Sequence, residues 1–148
     1  MSRMTTRAAT YDDAKLLMEL YEMRREPRLR EARRWFVASF NAKTYEELMT
    51  LCPPGSEPNA SYRMVTTYWE MVASFITSGV LHEELFFQSG RELLLCWERV
   101  RDVVPQIRAQ VKNPIEWKNL EMVATAYIKW WNAVAPGAYD AFSKRIRG

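Results

Sequence analysis

Histidine and cysteine are scarce in this sequence, which contains one histidine and two cysteines. A single histidine, His82, excludes metal sites that need two or three histidines of one chain, including a di-iron site built from Glu-x-x-His pairs. Cys52 and Cys96 are too few for a disulfide framework. A thiol nucleophile is disfavoured because Cys96 lies in an apolar segment, where a buried thiol is inert. The five glycines form neither a dinucleotide-binding fingerprint nor a phosphate-binding loop. We therefore predict no metal, no cofactor and no catalytic residue.

Long apolar runs are also missing. No stretch approaches the roughly 18 consecutive apolar residues of a membrane-spanning helix. The first fifteen residues contain no apolar segment of the kind found in a secretory signal. Free cysteines are typical of a reducing compartment. We therefore expect a soluble, cytoplasmic protein that has no membrane partner.

The overall composition is that of an ordinary globular domain. The chain has 148 residues, of which 48% are hydrophobic and 26% are charged, and its net charge is only +3. A chain of this length buries about 70% of its extended surface without help from disulfides or metals. We predict one domain over residues 1–148, in which residues 1–9 are flexible.

Apolar residues recur at steps of three and four along nearly the whole chain, which is the period of an amphipathic helix. No window alternates between apolar and polar residues as a strand does. We therefore predict an all-α fold, a single-domain helical bundle of five to seven helices with short connections. The clearest run comprises Val65, Tyr68, Trp69, Val72, Phe75 and Ile76.

Short polar patterns mark where helices begin. Thr10 with Asp13, and Thr44 with Glu47, have the spacing of capping boxes and predict helices that start directly after each threonine. His82 precedes two glutamates, and we interpret it as the residue that begins a short helix.

Prolines mark the helix boundaries less definitely. Pro27 predicts either the first residue of a second helix or a kink in one long helix. Pro105 predicts a kink or a break in a helix that follows Gly90. Asn113-Pro114 has the pattern of a cap followed by a first-position proline, which predicts a helix start.

A cluster of arginines is the sharpest local feature. Between residues 24 and 34, six arginines face two glutamates, which gives a local charge of +4. One interpretation is a surface for anions or a phosphate backbone, joined by the basic residues of 144–147. The alternative, which the small net charge favours, is a solvated face paired with nearby glutamates. The cluster comprises Arg24, Arg25, Arg28, Arg30, Arg33 and Arg34.

Two further groups are candidate sites. Trp130 and Trp131 diverge by about 100° on a helix, so both cannot face one core. One of them either contacts a partner or second copy, or lies half-exposed at the core's edge. Glu98, Arg101 and Arg108 have the spacing of one helix face, where they form structural ion pairs or, less favoured, line a polar pocket for a small anion.

The central part of the chain resembles a known family. The residues that carry the resemblance are Trp69, Glu70, Phe75, Gly79 to Leu81, Glu84 to Phe87, Trp97, Glu98, Pro105 and Arg108. Over residues 62–108 this pattern is similar to that of small bacterial all-helical proteins known only as a domain of unknown function. The resemblance implies a helical fold and supplies no activity.

Three functions are consistent with these observations. The leading hypothesis is a non-enzymatic protein-interaction module that binds a protein partner or forms a homodimer through an aromatic surface. The second is binding of nucleic acid or acidic ligands through the surface from Arg24 to Arg34. The third is a small-molecule or enzymatic pocket near Trp97 and Arg101.

Overall fold

The computed structural model of the protein describes residues 7–148, and within them the chain forms nine α-helices and no strand. Residues 1–9 are predicted to be flexible, and residues 1–6 of this segment lie outside the described residues. The helices are α1 (Tyr11–Arg24), α2 (Pro27–Ser39), α3 (Tyr45–Leu51), α4 (Glu57–Thr77), α5 (Glu83–Phe87), α6 (Arg91–Val100), α7 (Val104–Val111), α8 (Lys118–Val134) and α9 (Ala138–Arg147).

The all-α class is confirmed, but the predicted number of five to seven helices is too low. The extra helices arise where prolines divide a continuous apolar pattern. Pro27 is the first residue of α2, and the Glu26 side chain caps that helix by accepting a hydrogen bond from the Leu29 amide at 3.0 Å. Pro105 is the second residue of α7, separated from the end of α6 by a turn. Because proline lacks an N–H and disfavours a helical residue before it, each proline starts a new helix.

The two predicted capping patterns lie at helix starts. Thr10 Oγ1 accepts from the Asp13 amide at 3.3 Å, and Asp13 Oδ2 accepts from the Thr10 amide at 2.7 Å, so this capping box is complete. Thr44 Oγ1 accepts from the Glu47 amide at 3.1 Å. The Glu47 carboxylate, however, accepts from the amide of Lys43 instead of that of Thr44. The side chain of Thr44 thus caps α3 without the reciprocal bond.

The predicted start of α8 is wrong by four residues. Asn113-Pro114 opens a turn, and the helix itself begins at Lys118. Trp117, which is 9% exposed, adopts a left-handed conformation with φ of 56° immediately before the helix. Arg108 Nε donates to the Glu116 carbonyl at 2.7 Å and holds the turn. Burial of the indole and this bond from α7 override the local preference of proline for the first position of a helix.

Helix α4 lies at the centre of the bundle and packs most extensively against α2 and α8. Aromatic rings fill much of the core. Phe40, at the end of α2, stacks against Tyr62 of α4 with ring centroids 5.4 Å apart, and the ring centroid of Tyr127 on α8 lies 4.5 Å from that of Phe87 on α5. Both cysteines are buried in this core as free thiols, and burial raises the pKa of Cys52 to about 11. Helix α1, by contrast, makes only limited contact with α2 and α5. None of the helices in residues 7–148 has the length and hydrophobicity needed to span a bilayer.

Candidate functional site

Helix α1 presents a row of apolar side chains to solvent. Tyr11, Met18 and Tyr21 are 82%, 73% and 56% exposed, and the half-buried Ala14 completes a repeat at steps of three and four. We call Tyr11, Ala14, Met18 and Tyr21 the outer face of α1. With Met23, this helix carries four of the eight exposed large apolar side chains in the part of the chain that the structure describes. A contiguous apolar patch of this kind marks an interaction surface more often than scattered apolar residues do.

The opposite face of α1 holds the helix on the bundle. Leu20 is 5% exposed, and Leu16 and Leu17 pack against the core. The Tyr68 hydroxyl of α4 donates to the Leu20 carbonyl at 2.5 Å. Helix α1 is therefore apolar on two faces, of which residues 7–148 cover only one.

Two charged side chains of opposite sign lie on one side of the outer face. Lys15 lies in the first half of α1, and Glu22 follows it by seven residues, so both are on the same side of the helix. The exposed Glu22 carboxylate also lies 3.9 Å from the exposed Arg25 side chain.

Asp13 anchors the start of α1 and is the most heavily hydrogen-bonded carboxylate of this region. Its side chain is 1% exposed. It accepts from both terminal nitrogens of Arg7 at 2.6 and 2.7 Å and from the His82 amide at 2.9 Å. The amide and hydroxyl of Thr10 also donate to it. The Arg7 guanidinium, followed by these amides, holds the pKa of Asp13 far below its usual range despite the opposing effect of burial.

His82 joins this anchor from α5 and confirms its predicted role at the start of that helix. His82 Nδ1 accepts from the Leu85 amide at 3.1 Å and so caps the helix. Because Nδ1 is the acceptor, the other ring nitrogen, Nε2, is the donor, and it lies 2.8 Å from the Arg7 carbonyl. Arg7, Asp13 and His82 thus tie the segment before α1, the start of α1 and the start of α5 into one cluster.

A known protein family matches most of the chain. Residues 9–130 match the family described as a domain of unknown function, DUF4760. The chain belongs to this family. The resemblance predicted over residues 62–108 is therefore confirmed, and the match extends further, from just before α1 to most of α8. No curated protein and no solved structure matches the chain.

Some arginines of the cluster in this DUF4760 chain contact other side chains in defined geometry, and the others point into solvent. The Arg24 guanidinium carbon lies 5.4 Å from the ring centroids of both Tyr21 and Trp69. Arg33 forms a two-point ion pair with Glu92, at 2.8 and 2.5 Å. These two arginines contact protein groups in defined geometry.

The remaining members of the cluster point into solvent. Arg25 makes only the 3.9 Å contact with Glu22. Arg28, Arg30 and Arg34 are exposed, and within residues 7–148 they form no ion pair. The predicted pairing of the cluster with neighbouring glutamates therefore holds weakly for Arg25 and does not extend to these three residues of α2.

The two adjacent tryptophans point in different directions, as the helical geometry requires. Trp131 is 9% exposed and carries the Arg91 guanidinium 4.7 Å above its ring. Trp130 is half-buried and lies 5.4 Å from Phe87 and 5.9 Å from Tyr127. Both rings thus have partners within the chain, and a contact of either with a second molecule stays a prediction.

The predicted grouping of Glu98, Arg101 and Arg108 is wrong because a helix break separates them. Glu98 lies on α6 and Arg101 caps its end, where the two are 3.7 Å apart. Arg108 lies on α7 and pairs instead with Glu121 at 2.9 Å. The ion pair of Glu98 with Arg101 is thus observed, whereas a shared face with Arg108 is not.

Glu98 has closer partners that its spacing did not indicate. It is 2% exposed, and it accepts from the Tyr139 hydroxyl at 2.5 Å and from the Ser143 hydroxyl at 2.7 Å. Both hydroxyls belong to α9, so this buried carboxylate fastens the last helix to α6. Burial, and then the bond to Glu98, raise the pKa of Tyr139. Among residues 7–148, no three histidine, cysteine or acidic side chains come together as a group that could hold a metal ion.

The outer face of α1 was not predicted from the sequence, although one signal could have revealed it. Positions 11, 14, 18 and 21 follow the heptad spacing of a coiled-coil seam. The role of Asp13 beyond its own helix had no such signal, because its partner His82 is 69 residues away.

Proposed function

We propose that this DUF4760 protein is a protein-interaction module that forms a homodimer through the outer face of α1. The observation that carries the proposal is the exposure of Tyr11, Met18 and Tyr21 at the spacing of a helix-pairing seam. Trp130 and Trp131, which the sequence predicts for an interface, have ring partners within the chain. Tyr11, Met18 and Tyr21 stay more than half exposed within residues 7–148, even with Arg24 over the Tyr21 ring.

The charges beside the seam favour a second copy of this chain in antiparallel orientation. A two-fold axis near Met18 places residue 15 of one copy opposite residue 22 of the other. Lys15 then faces Glu22 in both halves of the interface. A two-fold interface must be self-complementary, and this order of charges meets that requirement.

The shapes along the seam agree with the same orientation. Antiparallel pairing sets the large ring of Tyr21 near the small Ala14 of the second copy, while the two Met18 side chains meet close to the axis. Methionine adapts to irregular contacts of this kind. Since α1 has 14 residues and is therefore about 21 Å long, the interface is small, and we expect a dissociation constant in the micromolar range or weaker.

Replacing Met18 with glutamate is expected to weaken dimerisation by about 100-fold. The change removes the burial of two apolar side chains per dimer and places two carboxylates close to the axis. Sedimentation equilibrium over a concentration series measures the effect directly. Ile115→Glu is the matched control, because Ile115 is 68% exposed in the turn before α8 and lies outside the outer face of α1.

Two results would contradict the proposal. One is a wild-type chain that stays monomeric up to sub-millimolar concentration. The other is an equal loss of self-association in the Met18→Glu and Ile115→Glu variants, which would show that any added charge has the same effect.

A second candidate function, nucleic-acid binding, is favoured by the exposed arginines of α2 that form no ion pair in the described part of the chain. Arg30 and Arg34 are four residues apart and therefore share one side of the helix. If they neutralise phosphates, the Arg30→Ala/Arg34→Ala variant is expected to weaken binding and to reduce the salt slope by about 2. Mobility shifts with a DNA duplex test this, and the absence of any shift at low salt would exclude it.

A further inference from the structure

A cleft beside α1 has the size and lining of a ligand site. Its volume is about 620 Å³, within the range of roughly 300–1,000 Å³ that small-molecule sites occupy. It lies between α1, α4 and the turn that joins α5 to α6. Met18 and Tyr21 are the most exposed of its apolar lining residues. The apolar lining comprises Leu17, Met18, Leu20, Tyr21, Tyr68, Trp69, Val72 and Phe86.

The mouth of the cleft carries two arginines and one glutamate, so it has a small positive charge. Arg24, Arg25 and Glu22 all line it, and Glu22 lies 3.9 Å from Arg25. Arg24 is half-buried on the rings of Tyr21 and Trp69, and no carboxylate within residues 7–148 pairs with it. The stacking fixes the guanidinium in place while leaving its N–H groups able to donate. A planar guanidinium held in this way matches a carboxylate in two-point geometry.

The floor of the cleft is preformed. The Tyr68 hydroxyl bonds the backbone of α1 at Leu20, which sets the distance between the two walls. At the far end, Gly90 lies so close to Phe86 that a Cβ atom there would overlap the phenyl ring. A site that is already shaped loses less entropy when a ligand binds.

We propose that this cleft binds a small amphipathic carboxylate, whose apolar body lies on Leu17, Met18 and Tyr21 and whose carboxylate pairs with Arg24. Both parts of the ligand follow from the lining, since an apolar chain alone leaves the arginine unpaired and a small inorganic anion leaves the floor uncovered. Met18 and Tyr21 line this cleft and also belong to the outer face of α1, so a bound ligand and a second copy of the chain compete for these two side chains.

Decanoate, below its micellar concentration, is the probe. Isothermal titration calorimetry is expected to show saturable one-to-one binding, and decyltrimethylammonium is expected to bind at least about tenfold more weakly because its charge is reversed. NMR shifts on adding decanoate are expected at Leu17, Met18 and Tyr21. Tyr11→Glu adds a charge to the outer face of α1 but lies outside the cleft, so this chain is expected to be monomeric, and measurements on it separate ligand binding from self-association.

Arg24→Gln is expected to lower the affinity for decanoate by about tenfold or more and to remove the preference over the cationic probe. Arg24→Lys keeps the charge, so it is expected to retain part of that preference. A loss of preference in Arg24→Gln that Arg24→Lys does not share is an effect of the charge and not of altered folding. Arg30→Gln, on α2, is the control and is expected to bind as the unchanged chain does.

Three outcomes would overturn the proposal. They are binding that rises without saturation, equal affinity for the two probes, and decanoate shifts confined to the methionine-rich groove of Met23, Met64 and Met71 on the other side of Tyr68.

Discussion

Replacing Asp13 with alanine is expected to lower the free energy of unfolding by about 2 to 4 kcal/mol, which is the effect of removing a buried, charge-assisted hydrogen-bond acceptor. The carboxylate accepts five hydrogen bonds from Arg7, Thr10 and His82. Its loss leaves the His82 amide without an acceptor and frees the segment before α1. Urea unfolding at neutral pH measures the change.

The pH dependence of this effect has a defined sign. The pKa of Asp13 is lowered in the folded protein, so the carboxylate contributes stability above the unfolded value of about 3.9. That contribution is lost as the pH falls towards the folded pKa. The deficit of Asp13→Ala is therefore expected to be largest at neutral pH and to shrink in acid.

Asp12→Ala is the matched control for Asp13. Asp12 is the adjacent acid in the first turn of α1, but it is exposed. Its removal is expected to cost only about 0.3 to 1 kcal/mol through the helix dipole. Similar losses in the two variants, or a deficit of Asp13→Ala that does not change with pH, would show that the cluster is not the anchor of α1.

Replacing Glu98 with alanine is expected to cost about 2 to 4 kcal/mol, because the hydroxyls of Tyr139 and Ser143 lose a buried charged acceptor. Since those bonds fasten α9 to α6, hydrogen exchange is expected to speed up first in α9. Chemical denaturation and hydrogen exchange measured by NMR test the two effects separately.

Glu92→Ala provides the comparison for Glu98 within the same helix. Glu92 pairs with Arg33 across the surface, where both side chains retain access to solvent. Exposed pairs contribute about 1 kcal/mol or less, so this variant is expected to stay close to the parent in stability. Exchange in α9 that is unchanged by Glu98→Ala would contradict the role assigned to that carboxylate.

Local chemistry made parts of this fold predictable. The Thr10–Asp13 and Thr44–Glu47 patterns lie at helix starts because a cap needs only the residues next to it. The start of α8 was not predictable from Asn113-Pro114, since a bond from Arg108 and the burial of Trp117 decide it. Those contacts come from tertiary packing, which no local pattern records.

The contacts of the candidate site were likewise predictable only where the partners are close in sequence. The spacing of Glu98 and Arg101 predicts their ion pair, whereas the closer partners of Glu98 come from α9, more than 40 residues later. Helix α1 was ambiguous for another reason. Two sides of this helix are apolar: the leucines at 16, 17 and 20, and the row from Tyr11 to Tyr21. Only the packed structure shows that the core covers the leucines.

Complementary charge reversal tests the pairing of α1 with a second copy most directly. Lys15→Glu alone and Glu22→Lys alone each set like charges against one another in an antiparallel homodimer, so each is expected to sediment as a monomer where the unchanged chain dimerises. Mixed in equal amounts, the two variants restore both attractive contacts, and sedimentation velocity should show the dimer again. A mixture that sediments as the separate variants do would contradict this arrangement.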